Sequence, residues 1–314
     1  MKTTKNKISA RLYKAIRISI LIVALTICFY TSYAQQTFTN TQYMNNLTPY
    51  NPAYSLMNNG GTADALIRKQ WQGIPGAPST FIFDGSMPIS SINGSSAGLM
   101  VRNDNFAVEN FTEANAFFAK SIQLSGNQYL GVSINAGVRW YKATYSSLDP
   151  NDPVLANDIN ETKANIGFGV IYYSDDYYVG VSVPELTIRS LGNASIQDNN
   201  SFRNHYYFAG AFVTKLVDDI SIKPATLVSY SRGVPVIADI SATAIFKNTL
   251  GFGVNVRTNS EVAGIISVAY RSFRLGYSYQ FGTSSNSLIG VNNATNEVTL
   301  RYCFGNAKVD WKAF

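Results

Sequence analysis

From residue 62 onward, apolar residues return at every second position. In "LGVSINAGVRWY", Leu130, Val132, Ile134, Ala136, Val138 and Trp140 alternate with Gly131, Ser133, Asn135, Gly137, Arg139 and Tyr141. "LGFGVNVR" sets Leu250, Phe252, Val254 and Val256 against Gly251, Gly253, Asn255 and Arg257. "EVTLRYCF" sets Val298, Leu300, Tyr302 and Phe304 against Glu297, Thr299, Arg301 and Cys303. Successive side chains of a strand leave opposite faces, so each segment predicts a strand with one apolar face and one small or polar face.

A soluble β-sandwich alternates in the same way, so strand length and spacing must separate the architectures. About 14 candidate strands fall near residues 62–73, 78–87, 95–104, 110–123, 126–142, 162–174, 176–187, 202–216, 219–232, 235–247, 248–258, 261–270, 271–281 and 296–304. Most reach the roughly 9–11 residues that a tilted strand needs to cross a bilayer, whereas sandwich strands are nearer five or six. Breaks after even-numbered strands are mostly tight: Ser125-Gly126, Asp175-Asp176, Val217-Asp218, Lys247-Asn248 and Arg271-Ser272. The connection "ISSINGSS" is less tidy. Breaks after odd-numbered strands include the long 143–161, 189–201 and 282–295. Outer-membrane barrels have short periplasmic turns and long outer loops. The expected fold is therefore all-β, a transmembrane antiparallel β-barrel of about 14 strands, with a soluble all-β receptor domain as the competing architecture. Glycines on the inward face (Gly131, Gly137, Gly167, Gly169, Gly251, Gly253) suit close backbone approach or barrel bending. Tyrosines of "VIYYSDDYYV" suit the lipid headgroup level.

The ends carry different signals. Six basic residues open the chain, an apolar run "ISILIVALTICFY" follows, and small Ser32 and Ala34 flank Tyr33, the pattern of a cleavable export signal. The expected divisions are 1–34 signal peptide, 35–61 irregular segment, 62–304 barrel and 305–314 tail. The whole chain carries +6, but without residues 1–34 its 19 basic residues balance 19 acidic ones. A nucleic-acid partner, which a basic protein would suggest, loses its support; outer-membrane lipid takes its place. Residues 45–61, "NNLTPYNPAYSLMNNGG", have neither period. Pro49 and Pro52 forbid regular ladders, while Tyr43, Tyr50 and Tyr54 offer anchoring rings. Such a segment is suited to fold back as a plug or to lie across the periplasmic mouth; its aromatic content argues against disorder.

Candidate chemistry is sparse. Cys303 is the only cysteine after residue 34, and His205 the only histidine, so no cysteine-rich metal site and no nucleophile–histidine motif is expected. Asp175-Asp176 and Asp218-Asp219 sit at tight turns, where Asp is favoured for local hydrogen bonding. "DPNDPVLAND" gathers oxygens from Asp149 onward, but it lacks the sixth-position glycine of a calcium loop and has prolines within it. No catalytic residue, cofactor or metal is expected, and the chain reads as a non-enzyme.

"TQYMNNLTPYNPAY" followed by "RKQWQGIPGAPSTF" resembles the opening of the PorP/SprF family of type IX secretion system membrane proteins. Later segments follow in order, including "NDNFAVENFT", "NIGFGVIYYSDDYYVGVSVPEL", "RLGYSYQF" and "NEVTLRYCF", from Gln42 to Phe304. The family's late His-Glu pair stands here as Asn296-Glu297, and its Pro-Ser as Pro224-Ala225. The resemblance implies motif positions of structural or partner-binding kind at Tyr43, Asn51, Pro52, Ala53, Arg68, Gln70, Trp71, Gly73, Gly76, Ala77 and Pro78. It also implies location in the cell outer membrane, and as partners a secreted adhesin with a type B C-terminal domain together with type IX machinery components, with links to gliding motility and adhesion. The rival functions are a transport channel of fatty-acid-transporter or porin type and an outer-membrane hydrolase. A mature chain starting at Gln35 is expected, and N-terminal sequencing after removal of any pyroglutamate checks it; a read from Met1 refutes cleavage.

Overall fold

The computed structural model describes residues 40–71, 73–187, 202–258, 261–281 and 294–306. Within them the chain forms β1 (Gly61–Lys69), β2 (Ser79–Pro88), β3 (Ser95–Phe106), β4 (Glu109–Ser125), β5 (Gln128–Ala143), β6 (Ile159–Tyr173), β7 (Tyr177–Thr187) and β8 (His205–Phe212). It continues through β9 (Thr214–Val217), β10 (Ile220–Ser231), β11 (Ile237–Phe246), β12 (Leu250–Arg257), β13 (Glu261–Tyr270), β14 (Phe273–Phe281) and β15 (Thr295–Phe304). β8 and β9 both pair with β10 and are two pieces of one strand interrupted at Val213. All neighbours are antiparallel, and β1 pairs with β15 from Gly61↔Phe304 to Lys69↔Asn296. The sheet is a closed barrel of 14 strands. No described helix is long and apolar enough to cross a membrane; the strands do so.

The alternation decides which face meets lipid. Val132 and Ile134 are about half exposed on the outer surface, while Ser133, Asn135 and Arg139 are buried inside. The same holds around the ring: Phe168, Ile240, Val254 and Leu300 face out, and Glu113, Asp239, Asn255 and Arg301 face in. The tyrosines of the β6–β7 hairpin divide by parity. Tyr172 and Tyr177 point outward and contact each other, as a headgroup girdle does, whereas Tyr173 and Tyr178 turn inward into the core.

The connections segregate by end. One end carries the turns at 126–127, 174–176, 218–219, 247–249 and 271–272. Several need a left-handed residue, supplied by Gly126 (φ 52°), Asp219 (φ 67°) and Asn248 (φ 51°), as two-residue hairpin turns require. The other end carries 70–78 and 144–158. Some connections break the pattern: 107–108 is tight and 232–236 and 258–260 are short at the long-loop end, and 89–94 is longer at the short-turn end. Of the other predicted long loops, 189–201 lies outside the described residues, as does 282–295 apart from Ala294 and Thr295. β1 ends at Lys69 rather than residue 73, because Trp71, Gly73 and Gly76 adopt positive φ and turn the chain away.

One expectation drawn from alternation alone is overturned. From alternation, Asn135 points inward and Asn135→Lys is expected to be mild. The lumen is filled: Asn135 is 2% exposed and its Nδ2 donates to the Pro184 carbonyl at 2.8 Å, leaving no room for a longer charged chain. Ile134→Lys should cost about 2–4 kcal/mol if it lies near the bilayer midplane, and Asn135→Lys should also destabilise. Val154→Lys, in a connection where the side chain is 85% exposed, should stay within about 0.5 kcal/mol. Urea unfolding of the barrel in phospholipid vesicles checks all three; equal tolerance at Ile134 and Val154 would mean that the outward face is not in lipid.

Candidate functional site: the occupied lumen

The segment before β1 fills the barrel. Two short 3-10 elements, Tyr43–Asn45 and Pro52–Met57, are joined by a turn in which the Tyr50 and Asn51 N–H groups donate to the Leu47 carbonyl. Pro52 has the fixed φ that suits a first helical position, and Asn51 caps that turn by accepting from the Ala53 N–H at 3.1 Å. Tyr43, Met44, Leu47, Tyr50, Ala53, Tyr54 and Met57 are almost wholly buried and form one apolar cluster with Ile171, Tyr178, Tyr207, Ala209, Ala225 and Leu227 of the wall. Tyr50 meets Tyr207 edge-on at 5.1 Å, and Tyr54 meets Tyr178 at 5.7 Å.

The segment runs the length of the lumen. At its lower end Leu56 lies against Gly131, and its carbonyl accepts from the Tyr173 hydroxyl at 3.4 Å, near the short-turn end. At its upper end the Glu297 carboxylate accepts both the Thr41 N–H (2.9 Å) and the Gln42 N–H (2.8 Å). Asn255 Nδ2 donates to the Thr41 carbonyl at 3.2 Å. Between these, Lys223 Nζ donates to the Met44 carbonyl at 3.0 Å, Asn46 Nδ2 to Asp84 at 2.6 Å, and Asn51 Nδ2 to the Val170 carbonyl at 3.0 Å. The Tyr43 hydroxyl donates to the Ala225 carbonyl at 2.8 Å. The Asn40 N–H donates to the Tyr50 hydroxyl at 2.8 Å, and that hydroxyl donates to Asn40 Oδ1. The inward glycines are seats. A Cβ on Gly169 would lie 2.2 Å from Asn51 Oδ1, and one on Gly276 would lie 2.2 Å from Gln42 Oε1.

The wall around this neutral segment is charged. Seven cationic groups (Arg68, Arg102, Arg139, Lys223, Arg257, Arg274, Arg301) and six carboxylates (Asp64, Asp84, Glu113, Glu185, Asp239, Glu297) are buried among the described residues. Toward the long-loop end Arg102 pairs with Glu113 at 2.9 Å and Glu185 at 3.2 Å, and Arg139 with Glu185 at 2.8 Å. Both guanidiniums stack on Phe111. His205 Nδ1 stands 3.5 Å from Glu185, which makes it a lumen residue. Across the barrel Arg257 joins Asp239 at 2.9 Å and Glu261 at 2.7 Å, and Arg301 joins Asp64 at 2.7 Å. A cavity between the segment, Asp64, Asp84, Arg274 and Arg301 measures about 20 Å³, room for a water or two and not for a solute.

The predicted motif positions separate into two places. Tyr43, Asn51, Pro52 and Ala53 lie in the lumen segment, and Arg68 joins them, because β1–β15 register sets it opposite Glu297. Gln70, Trp71, Gly73, Gly76, Ala77 and Pro78 build a compact loop at the long-loop end instead. There the Gln70 N–H donates to the Pro78 carbonyl at 3.0 Å and the Ala107 N–H to the Gly76 carbonyl at 2.8 Å. Trp71 takes φ 47°, costly for a bulky residue, and meets Phe106 edge-on. The wall charges were missed as a group; their signal is an isolated Arg or Glu on the small-residue face of a strand. In the 144–158 connection, Asp149 and Asp152 accept the N–H groups of Asn151 and Val154, local bonds of the kind Asp makes in turns.

Glu297→Gln keeps the volume but sets an amide N–H₂ against one of two buried backbone N–H groups. It should loosen the upper end of the segment by about 1–3 kcal/mol. Hydrogen exchange should rise across residues 40–57 with the β5 amides unchanged, and unchanged exchange in both would show that the carboxylate does not hold the segment.

No curated protein matches the sequence. Solved structures similar to this one include a TodX deltaS2S3 mutant monoaromatic hydrocarbon channel, at 10% identity and TM-score 0.48 over 84% of this chain and 94% of that one. Acinetobacter baumannii outer membrane protein Omp33 follows at 8% identity and TM-score 0.45, over 79% and 99%. A Pseudomonas aeruginosa FadL homologue stands at 12% and 0.44, over 87% and 96%. None of these likenesses bears on activity. Residues 32–302 match the family described as type IX secretion system membrane protein PorP/SprF, and the chain belongs to that family.

Proposed function

We propose that this protein is a non-enzymatic barrel of the outer membrane that supports secretion or surface attachment of specific large adhesins ending in a type B C-terminal domain, alongside other type IX components. The observation that carries this reading is the occupied lumen in a chain of a secretion family. With residues 40–58 filling the interior and about 20 Å³ of cavity beside them, partner recognition falls to surfaces outside the barrel. Loops on a rigid scaffold are where binding residues collect. The 144–158 connection presents Leu148, 57% exposed, and Val154, 85% exposed. Asp158 holds it by accepting the Ser146 N–H at 3.0 Å. Aliphatic and acidic groups on a pinned loop suit a protein partner better than a small charged solute.

The rival reading, a fatty-acid-transporter or porin type of channel, needs a standing path through the interior, which the same segment obstructs. Deleting the gene should leave one or a few large adhesins unsecreted or shed while other type IX cargo exports normally. Shortening the 144–158 connection should reproduce part of that defect with the barrel still assembled. Surface proteomics of both strains checks this. Adhesins at wild-type levels with uptake of a small molecule lost would put the channel in its place.

A further inference from the structure

We propose that residues 40–58 are a removable stopper, and that the barrel without them is a water-filled, weakly selective ion pore. Three observations carry this. The stopper has no charged residue anywhere from Asn40 to Asn58, although it lies against a wall with thirteen buried charged groups. Those charges are largely matched within the wall itself, as in Arg301 with Asp64 at 2.7 Å and Arg139 with Glu185 at 2.8 Å. Glu297, which holds the upper end of the stopper, has Arg68 as its cross-strand neighbour. Withdrawing a neutral segment therefore breaks few ion pairs and strands few charges. It replaces the segment's hydrogen bonds, including those to the Glu297, Lys223 and Asp84 side chains, with bonds to water.

The attachment also favours movement. The stopper forms no strand pairing with the wall, so no backbone ladder must unzip. It joins β1 through Asn58, Asn59 and Gly60 at the short-turn end, and Asn59 there is exposed, which gives a hinge on the side toward which the segment can leave. A lumen that never met water would have no use for so many charges, since each is costly to desolvate. A wall hydrated in a second state accounts for them. The near balance of seven cations and six carboxylates makes that state nearly indifferent to the sign of the ion.

The inference goes beyond the secretion reading and stands or falls separately, because its test is electrical and uses purified protein. In a Cys303→Ser background, the pair Asn51→Cys and Gly169→Cys can tie stopper to wall. A Cβ on residue 169 would lie 3.0 Å from Asn51 Cγ, within reach of disulfide geometry. In planar bilayers in potassium chloride, the oxidised full-length protein should be silent. Reduction should raise open time at least about tenfold, since Asn51 has lost its bonds and Gly169 its clearance, and the K⁺/Cl⁻ permeability ratio should stay within about threefold. Silence of the reduced barrel, shown folded by heat-modifiable gel mobility, overturns the proposal. So does equal current in both redox states, which places the current outside the lumen.

A second variant reads the otherwise native stopper. Ala53→Cys, again with Cys303→Ser, replaces a fully buried residue. It should react slowly with a water-soluble thiol reagent while the strands stay folded. No labelling over a day, with Val154→Cys labelled in minutes, overturns mobility of the segment.

Discussion

A backbone N–H or C=O left unpaired in hydrocarbon costs several kcal/mol, and the rest of this structure follows from avoiding that. A chain of long alternating strands can enter a bilayer only if its first strand finds its last. β1 does so along its whole length against β15. Closure then creates a second problem. Eight strands enclose a space that side chains can fill; 14 enclose one they cannot. Something besides the wall must occupy the interior, or water will. Here the N-terminal segment, a layer of aromatic rings and the wall's own ion pairs share that space.

Much of the fold was legible because lipid imposes a period on the sequence. Every strand expected from alternation is present, and the ends differ by no more than a few residues except where left-handed backbone intervenes, as at Trp71 and Gly73. What the period cannot say is what an inward side chain meets. Asn135 and Ser133 read as lumen-facing, which they are, but nothing local reports that the lumen is full. Tyr172 and Tyr173 look alike in sequence, yet one faces lipid and the other packs beneath Leu56. Arg102 and Glu185 appear as isolated charges because their partnership spans 83 residues of chain. Such pairings arise from register around the ring.

The irregular opening of the chain was readable as a plug in composition but not in placement. Its asparagines, which look like turn formers, use their amides to reach the wall: Asn46 to Asp84, Asn51 to Val170. Its prolines keep it out of the ladder, so it cannot compete with β1 for β15 or β2. The motif that continues into Arg68 and Gln70–Pro78 then spans two mechanical roles. Arg68 belongs to the seat of the segment, while the loop beyond it caps the β1–β2 hairpin against Ala107 of the next hairpin.

The lumen also separates holding from placing. Charge would be a strong way to hold a segment, but a charged plug facing charged walls has many wrong registers that also satisfy it. A neutral segment has fewer. Its position is set by shape: Asn51 fits only where Gly169 leaves the space a Cβ would take, Gln42 only beside Gly276, and Leu56 only beside Gly131. The hydrogen bonds then report whether the fit is right, because the two amides at Glu297 and the carbonyl at Lys223 are buried and would be left unsatisfied by a slip. Steric seats fix the register, hydrogen bonds from a few wall groups (Glu297, Lys223, Asp84) check it, and the remaining ion pairs of the wall, such as Arg301 with Asp64, take no part in either task.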